Sequence, residues 1–330
     1  MPDNKGVLVL AETANGELAP ISAELLGCGR QLADKLNEEL CAVIPGYDVS
    51  DLARQAIALG ADKVYTIDDP LLKDYINETY VQALAQVARQ ITPRIILLGQ
   101  TAIGRDLAPS LAFRLEMAAV TDCIELTIDP ESKQLLQTRP VYGGNALATF
   151  TCEYYPQVAS LRAKAYPPAQ VDDSRSGEVI ALDICIDTPK VKVIDKVSQS
   201  TEGVKLEDAG VVVAGGRGIG SQEGFKQLEE LAGLLNGAVG ATRPPCDNGW
   251  APASAQIGLT GKIVAPDLYL AVAISGSSQH TSGCVGARNI VAINKDAEAN
   301  IFKLARFGIV GDWQKALPAF TDRLKELLSE

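Results

Sequence analysis

Five short polar segments in the last third of the chain follow apolar runs, and their residue types suit phosphate and nucleotide binding. The first, GGRGIG (215–220), stands after an apolar run and before a helical pattern. Backbone N–H groups in such a turn bind phosphates in open α/β sheets. Arg217 adds a guanidinium that can bond a phosphate oxygen. The spacing departs from the dinucleotide fingerprint because Ser221 takes the third glycine position, so a plain tight turn remains the alternative.

The second and third segments are a Thr-Arg pair and a glycine-framed loop. Thr242 and Arg243 follow a predicted strand, and Pro244 and Pro245 are expected to hold the chain extended beyond them. QIGLTGK (256–262) has two glycines around a hydroxyl and is expected to press its backbone against a flat ligand. Taken singly, the Thr-Arg pair is more typical of a solvated surface arginine, and the glycine-framed segment is more typical of an ordinary surface loop.

The fourth segment, SGSSQH (275–280), follows the apolar run Leu268–Ile274 and is the most specific of the five. Small polar residues after a buried strand form a nest of N–H donors that suits a phosphate. His280 ends the segment and is the only histidine of the chain. A lone histidine is usually a hydrogen-bonded structural residue, but its place at a strand's carboxyl end favours ligand contact. The fifth segment comprises Asn294 and Asp312, which could bond a ribose or adenine or serve as turn residues.

Composition excludes several classes of protein. One histidine cannot form a multi-histidine zinc site, and the seven cysteines contain no CxxC pair, so we expect no metal site or iron–sulfur cluster. A net charge of −11 and a pI near 4.8 argue against nucleic acid as a partner. The apolar runs are too short to cross a bilayer, and MPDNKGVLVL (1–10) does not resemble a signal peptide. We therefore predict a cytoplasmic protein without membrane insertion.

The elements that position these segments form two α/β patterns. Strand-like runs alternate with helical periodicity over the first two-thirds, which indicates βαβ units and a mostly parallel sheet. The predicted strands include Gly6–Glu12, Leu40–Pro45, Lys63–Ile67, Arg94–Leu98 and Lys190–Asp195, and the predicted helices include Ser22–Leu36, Tyr75–Gln90 and Leu107–Leu115. A second pattern starts at Ala209, with a helix at Gln222–Leu235 and strands at Ala238–Ala241, Leu268–Ile274 and Asn289–Ile293.

A polar stretch, SQSTEGVKLED (198–208), separates the two patterns. It predicts an N-terminal domain at 1–195, a linker at 196–208 and a C-terminal domain at 209–330. Residues 205–330 hold 12 basic and 13 acidic residues, so the N-terminal part carries nearly all of the net charge. A near-neutral C-terminal domain accommodates a pyrophosphate more easily, although acidic solvated faces in the first domain explain the difference equally well.

Taken together and in order, these segments resemble the alpha subunit of electron transfer flavoproteins. The resemblance is dense over 209–318 and looser before it, where GRDLAPSLAFRL (104–115), TDC (121–123) and GGNALA (143–148) carry it. It implies a nucleotide-hydrolase-like parallel-sheet domain, a Rossmann-like FAD-binding domain and an obligate beta subunit. The expected FAD contacts, carried over by position, are Arg217, Thr242, Arg243, Gln256, Ile257, Gly258, Leu259, Thr260, Ser275, Gly276, Ser277, Ser278, Gln279, His280, Asn294, Asp312 and Trp313.

Two of these positions depart from the family pattern. Thr242 stands where serine is common, and a hydroxyl is retained; Leu259 replaces a common glutamine and removes one polar side chain near the flavin. No catalytic residue is expected, because a flavin carries its own reactivity. Reduction places negative charge over the N1–C2=O edge of the flavin, so His280 and Arg243 are expected to stabilise the reduced form there, and Thr260 to bond N5.

The resemblance implies a carrier that takes electrons from a flavin dehydrogenase, such as an acyl-CoA dehydrogenase, and passes them on. The N-terminal segments look more like the anaerobic and nitrogen-fixation branches, some of whose members divide the electrons of NADH between ferredoxin and such a dehydrogenase. An alternative is a sensing module that binds AMP or ATP in the same nests without redox work.

Overall fold

The chain folds into two compact units. The computed structural model describes residues 4–144, 146–196 and 204–329. Unit 1 comprises the described residues of Met1–Pro140 and Leu147–Lys196, and unit 2 comprises those of Val141–Ala146 and Val197–Glu330. The short segment 141–146 therefore groups with the C-terminal part of the chain, a division that the sequence did not indicate.

The predicted linker, 196–208, falls mainly on residues 197–203, which lie outside the described residues. The described end of this stretch packs within unit 2. Leu206 is buried in the core of unit 2, and Glu207 forms an ion pair with Lys262 (2.7 Å). One buried leucine in a polar stretch produces no apolar periodicity, so the packing of Leu206 could not be predicted from the sequence.

Unit 1 is built on a seven-stranded parallel sheet with the strand order β12-β5-β4-β1-β6-β11-β7. A separate three-stranded sheet has the order β10-β9-β8. The strands are β1 (Val7–Leu10), β2 (Thr13–Ala14), β3 (Glu17–Leu18), β4 (Leu40–Gly46), β5 (Lys63–Asp68), β6 (Ile95–Gly99), β7 (Ala119–Cys123), β8 (Glu125–Ile128), β9 (Leu135–Val141), β10 (Ala146–Phe150), β11 (Gln157–Leu161) and β12 (Glu178–Ala181). The helices are α1 (Pro20–Leu36), α2 (Ala53–Ala58), α3 (Asn77–Ile91) and α4 (Ala102–Arg114).

Burial on both faces of the parallel sheet explains its continuous apolar strands. Along β1, Val7 and Val9 pack in one core cluster with α1. Leu8 and Leu10 pack in a second cluster with α3 and α4 on the opposite face. Helices on both faces are what a parallel sheet requires, and every residue of β1 is therefore apolar. The predicted α/β architecture with parallel sheets is confirmed.

Two elements of unit 1 differ from the sequence-based prediction. Helix α4 begins at Ala102, five residues before the predicted start, because the Thr101 hydroxyl accepts a hydrogen bond from the Gly104 N–H (3.0 Å) and caps it. The strand predicted at Lys190–Asp195 is wrong, since these residues form no regular structure. Their alternation of apolar and charged residues is typical of a strand, but Val191 and Ile194 are exposed.

Unit 2 contains a five-stranded parallel sheet with the order β14-β13-β15-β16-β17. Its strands are β13 (Val211–Gly215), β14 (Ala238–Ala241), β15 (Leu268–Val272), β16 (Ile290–Asn294) and β17 (Phe307–Val310). Its helices are α5 (Gln222–Leu234), α6 (Arg243–Asp247), α7 (Ser278–Thr281) and α8 (Trp313–Ser329). Core clusters lie on both faces of this sheet as well.

The strand order places a topological switch point between β13 and β15, because β14 lies on one side of β13 and the later strands on the other. Open α/β sheets bind ligands in the crevice at the carboxyl ends of the two strands at such a point. At the far edge, β17 exposes the apolar side chains of Phe307, Ile309 and Val310. Among the described residues, no helix combines the length and the apolar character that crossing a bilayer needs.

Candidate functional site

The turns that follow β13 and β15 meet at the switch point of unit 2. The Gly216 N–H donates to Val272 O (2.9 Å), and a Cβ added at Gly216 would lie 2.1 Å from Ala273 O. Ala273 itself has a left-handed backbone (φ 53°), which is uncommon for a residue other than glycine. The close contact therefore requires glycine at 216 and brings the two turns together.

The turn after β15 exposes a series of small polar side chains. Ser275, Ser277, Ser278 and Gln279 are exposed to solvent, while Gly276 is buried. Gly276 has φ 80°, and a Cβ there would lie 2.2 Å from the Ile301 N atom. The serine hydroxyls are donors and acceptors that suit an anionic, hydrogen-bonding ligand.

Two guanidiniums lie at the carboxyl ends of β13 and β14. Arg217 is exposed directly after β13, and Arg243 is exposed at the first position of α6, where it pairs with Asp247 (3.3 Å). Thr242 is largely buried, and its N–H donates to Gly215 O (3.0 Å), which fixes the end of β14 against β13. Both arginines thus face solvent at the same edge of the sheet.

The predicted extended chain after Arg243 is wrong. Pro244 and Pro245 lie in the first turn of the short helix α6. Proline suits that position because its fixed φ is helical and its missing N–H would have no intrahelical partner. The effect on the site is small, because Arg243 remains at the strand end.

The loop 256–262 lies against the short helix α7. Gly258 has φ 146°, a Cβ there would lie 2.7 Å from Gln279 O, and the Leu259 N–H donates to the same oxygen (2.8 Å). Ile257 is buried, but Leu259 and Thr260 are exposed. The Gln256 Nε2 donates to Thr260 Oγ1 (2.8 Å), which holds that hydroxyl on the open side of the loop.

His280 is buried and bonded within the protein. Its Nδ1 lies 3.0 Å from Ile257 O, and its Nε2 lies 2.8 Å from the hydroxyl of Tyr269. Burial lowers the pKa of His280 to about 4, so the imidazole is neutral at neutral pH. His280 lies beyond the end of β15, as the sequence predicts, and next to the loop 256–262. The positive charge and the free N–H donor expected to stabilise a reduced flavin are not present, because the ring is neutral and both of its nitrogens are bonded within the protein.

A cavity of about 280 Å³ lies beside the switch point, at the ends of β16 and β17. Trp313 forms one wall, and its Nε1–H donates to Gly218 O (3.0 Å). Asn294 is a turn residue, because its Nδ2 donates to Ile274 O (2.7 Å) and its Oδ1 accepts from the Asp296 N–H (3.0 Å). The lining residues are Gly218, Ala273, Asn294, Lys295, Gly311, Asp312, Trp313 and Gln314.

Sequence reasoning did not select Ala273, Lys295 or Gln314 as site residues. The exposed Lys295 directly follows β16 and adds an ammonium beside the cavity. Its place at a strand end was a usable signal. Nothing in the sequence indicated Ala273, since its role rests on a left-handed backbone.

These residues fit an elongated anionic ligand that carries a flat ring. Arginines, serine hydroxyls and glycine backbone line the carboxyl edge of one sheet, and a tryptophan-walled cavity adjoins them. Side chains at Gly216 or Gly258 would collide with neighbouring backbone, so the close packing depends on glycine. Charged donors, a small number of polar groups and an apolar wall are the usual composition of a nucleotide cofactor site. Within the part of the chain that the structure covers, no group of three or more His, Cys, Asp or Glu side chains is arranged to hold a metal.

The switch point of unit 1 is bridged by its own side chains. Glu12 follows β1, Thr101 follows β6, and the Thr101 hydroxyl lies 2.8 and 2.9 Å from the two carboxyl oxygens. Glu12 is 8% exposed, and burial raises its pKa to about 7, although the Thr101 bond opposes the shift. A carboxyl group therefore occupies the position where the corresponding crevice of unit 2 is open.

Comparison with known proteins identifies two family domains in this chain. Residues 7–187 match the electron transfer flavoprotein domain family, and residues 205–285 match the electron transfer flavoprotein FAD-binding domain family. An electron transfer flavoprotein subunit alpha of Thermoanaerobacterium thermosaccharolyticum is 43% identical over 99% of this chain and 100% of its own length. The corresponding subunit of Megasphaera elsdenii is 42% identical, with coverage of 99% and 98%. A protein FixB of Azorhizobium caulinodans is 42% identical, with coverage of 98% and 90%.

Proposed function

This chain belongs to the electron transfer flavoprotein family, as an alpha subunit, and we propose that it binds its FAD along the carboxyl edge of the unit 2 sheet. This placement rests on one observation. The turns that contain Gly216 and Ala273 meet at the β13–β15 switch point, and Arg217 and the serine-rich residues 275–278 lie beside them. Such a crevice accepts a pyrophosphate because it offers backbone and side-chain donors together with positive charge.

Each part of the cofactor has a matching group of residues. We assign the pyrophosphate to Arg217 and residues 275–278, and the adenosine to the cavity walled by Trp313. We assign the isoalloxazine ring to residues 256–260 of the loop 256–262 and to Arg243. Because Thr260 is exposed and held by Gln256, its hydroxyl is available to the ring, and Leu259 offers an exposed apolar side chain.

When bound, FAD supplies the redox chemistry, and the chain supplies binding, orientation and charge. Arg243 is the cation that we assign to the electron-rich edge of the ring. A charge-assisted hydrogen bond contributes roughly 1.5–3 kcal/mol. For one-electron transfer, 59 mV corresponds to a tenfold change in the equilibrium constant, so one such bond changes the potential by on the order of 100 mV. His280, neutral and bonded internally, is assigned a positioning role.

The partners follow from the family. We propose that this chain forms a heterodimer with a beta subunit. The heterodimer accepts electrons from a flavin dehydrogenase, such as an acyl-CoA dehydrogenase. The narrower form of this proposal is electron bifurcation from NADH to ferredoxin and that dehydrogenase, with the second flavin mainly in the beta subunit. The test is the flavin content and NADH oxidation of the co-purified heterodimer. Two FAD molecules with NADH oxidation support bifurcation, and one FAD without NADH oxidation rejects it.

Replacing Arg217 with alanine is expected to weaken FAD retention by about tenfold or more, because one charge-assisted bond to the pyrophosphate is lost. Arg288→Ala is the matched control, since Arg288 is exposed and its guanidinium lies 3.8 Å from Asp267. The measurement is the FAD dissociation constant of each variant by flavin fluorescence. Equal constants for Arg217→Ala and wild type would remove Arg217 from the phosphate site.

The visible absorbance of oxidised flavin in the purified heterodimer tests the proposal against the AMP- or ATP-sensing alternative. Flavin absorbance that follows the protein through gel filtration supports the carrier. A colourless protein that retains an adenine nucleotide supports the sensing module.

A further inference from the structure

A chain of two hydrogen bonds runs through the core of unit 2, from the Tyr269 hydroxyl to the backbone of the loop 256–262. The Tyr269 hydroxyl lies 2.8 Å from Nε2 of His280, and Nδ1 of His280 lies 3.0 Å from Ile257 O. Tyr269 is fully buried and His280 is 5% exposed, so water does not compete for these bonds.

The direction of this chain is fixed at one end. A carbonyl oxygen only accepts, so Nδ1 of His280 must carry the proton that points to Ile257 O. The ring is neutral, because burial lowers the pKa of His280 to about 4, so Nε2 holds a lone pair. The Tyr269 hydroxyl must then donate to Nε2. Burial raises the pKa of Tyr269, so the hydroxyl keeps the proton that it donates.

The chain of bonds joins three elements. Tyr269 belongs to the central strand β15, His280 belongs to α7, and Ile257 begins the loop that continues through Gly258 to Thr260. Backbone bonds also hold this loop region: the Ile257 N–H donates to Ala241 O at the end of β14 (2.9 Å), the Leu259 N–H donates to Gln279 O (2.8 Å), and the Val264 N–H donates to Gly283 O (2.7 Å). The imidazole adds a side-chain link from β15 to the carbonyl immediately before Gly258.

We infer that Tyr269 is a positioning residue for the flavin: by donating to Nε2 it holds the His280 ring, and through it the loop 257–260, in the geometry that receives the isoalloxazine. This inference rests on the proposed placement of FAD against that loop. Without the hydroxyl, Nε2 would be a buried acceptor without a partner, which is costly enough to favour another ring orientation. The Ile257 carbonyl would then lose its donor.

The test uses the single histidine, whose ring nitrogens give one unambiguous pair of ¹⁵N resonances. The heterodimer is prepared with labelled histidine in the alpha subunit only, as wild type, as Tyr269→Phe and as Tyr80→Phe. The control removes a partly buried hydroxyl in unit 1 that donates to Leu72 O (3.1 Å). We expect the Nδ1–H tautomer in the wild type and in the control. In Tyr269→Phe, Nε2 should shift towards the resonance of an unbonded nitrogen, and amide exchange of a peptide covering 256–262 should rise about tenfold.

The same variant is expected to raise the FAD dissociation constant about tenfold, with no change in Tyr80→Phe. An Nε2–H tautomer in the wild type would overturn the inference without any variant. Unchanged histidine resonances in Tyr269→Phe would also overturn it, as would changed resonances with unchanged FAD binding. Failure of the FAD placement itself shows elsewhere, in normal FAD retention by Arg217→Ala.

Discussion

Replacing Gly216 with alanine is expected to remove FAD from the protein. The added Cβ would lie 2.1 Å from Ala273 O and 2.8 Å from Ile274 Cα, so it would meet backbone on the adjacent strand end. Flexible side chains can move aside, but these atoms are held by the β13–β15 pairing. Relief of the clash must therefore separate the two turns that form the crevice. Overpacking costs about 1–3 kcal/mol and occasionally more, so we expect a loss of affinity of about a hundredfold.

Gly233→Ala is the matched control for this experiment. Gly233 lies in α5, and a Cβ there would meet no atom within 4 Å. Alanine is the better helix former, so this variant should be neutral or slightly more stable. The ratio of flavin to protein after gel filtration measures both variants, and circular dichroism confirms that they are folded. A folded Gly216→Ala protein with the wild-type flavin ratio would contradict the proposed site.

Replacing Glu12 with glutamine is expected to stabilise unit 1 at pH 8 by about 3 kcal/mol. The pKa of Glu12 rises from 4.5 to about 7 in the folded protein, because the carboxyl is buried between β1 and β6. A group with a raised folded pKa contributes its full stability below 4.5, and that contribution is lost as the pH rises through 7. Glutamine has no charge to bury and can keep a hydrogen bond to Thr101, so its gain should be present at pH 8 and absent near pH 4.5.

Amide hydrogen exchange of peptides from β1 and β6 measures this effect in unit 1. Tryptophan fluorescence does not, because Trp250 and Trp313 both lie in unit 2. The control is Glu17→Gln, which removes an exposed carboxyl from the neighbouring hairpin and should change stability by less than about 0.5 kcal/mol at either pH. If protection in Glu12→Gln fell with pH as it does in the wild type, Glu12 would not be the titrating group.

The sequence predicted the parts of the fold that depend on local pattern. Alternating apolar strands and helices sufficed for two parallel sheets, and polar segments after each strand indicated the sheet edge to which we assign the ligand. The order of these segments along the chain was enough to indicate the family and its FAD, and both are confirmed. Local pattern failed where one distant contact decides the outcome, as with Leu206, whose burial depends on core residues of unit 2 that come later in the sequence.

Side-chain direction was the second limit. The sequence placed His280 at a strand end, but the orientation of its ring depends on Tyr269, eleven residues earlier, and on the carbonyl of Ile257. Neither contact leaves a mark on residue spacing. Similarly, Asn294 was a candidate ligand contact, and only the structure shows that its amide is used to hold Ile274 O and the Asp296 N–H.

The edge strand β17 has a practical consequence for handling this protein. Its four residues, Phe307–Val310, contain neither a charge nor a proline, and three of them expose apolar side chains. Charged residues and prolines normally protect the edge strands of natural proteins, because an open apolar edge pairs with other chains. Subunit alpha produced alone should therefore associate with itself as its concentration rises. A lysine at Ile309 would be a simple way to obtain a well-behaved sample.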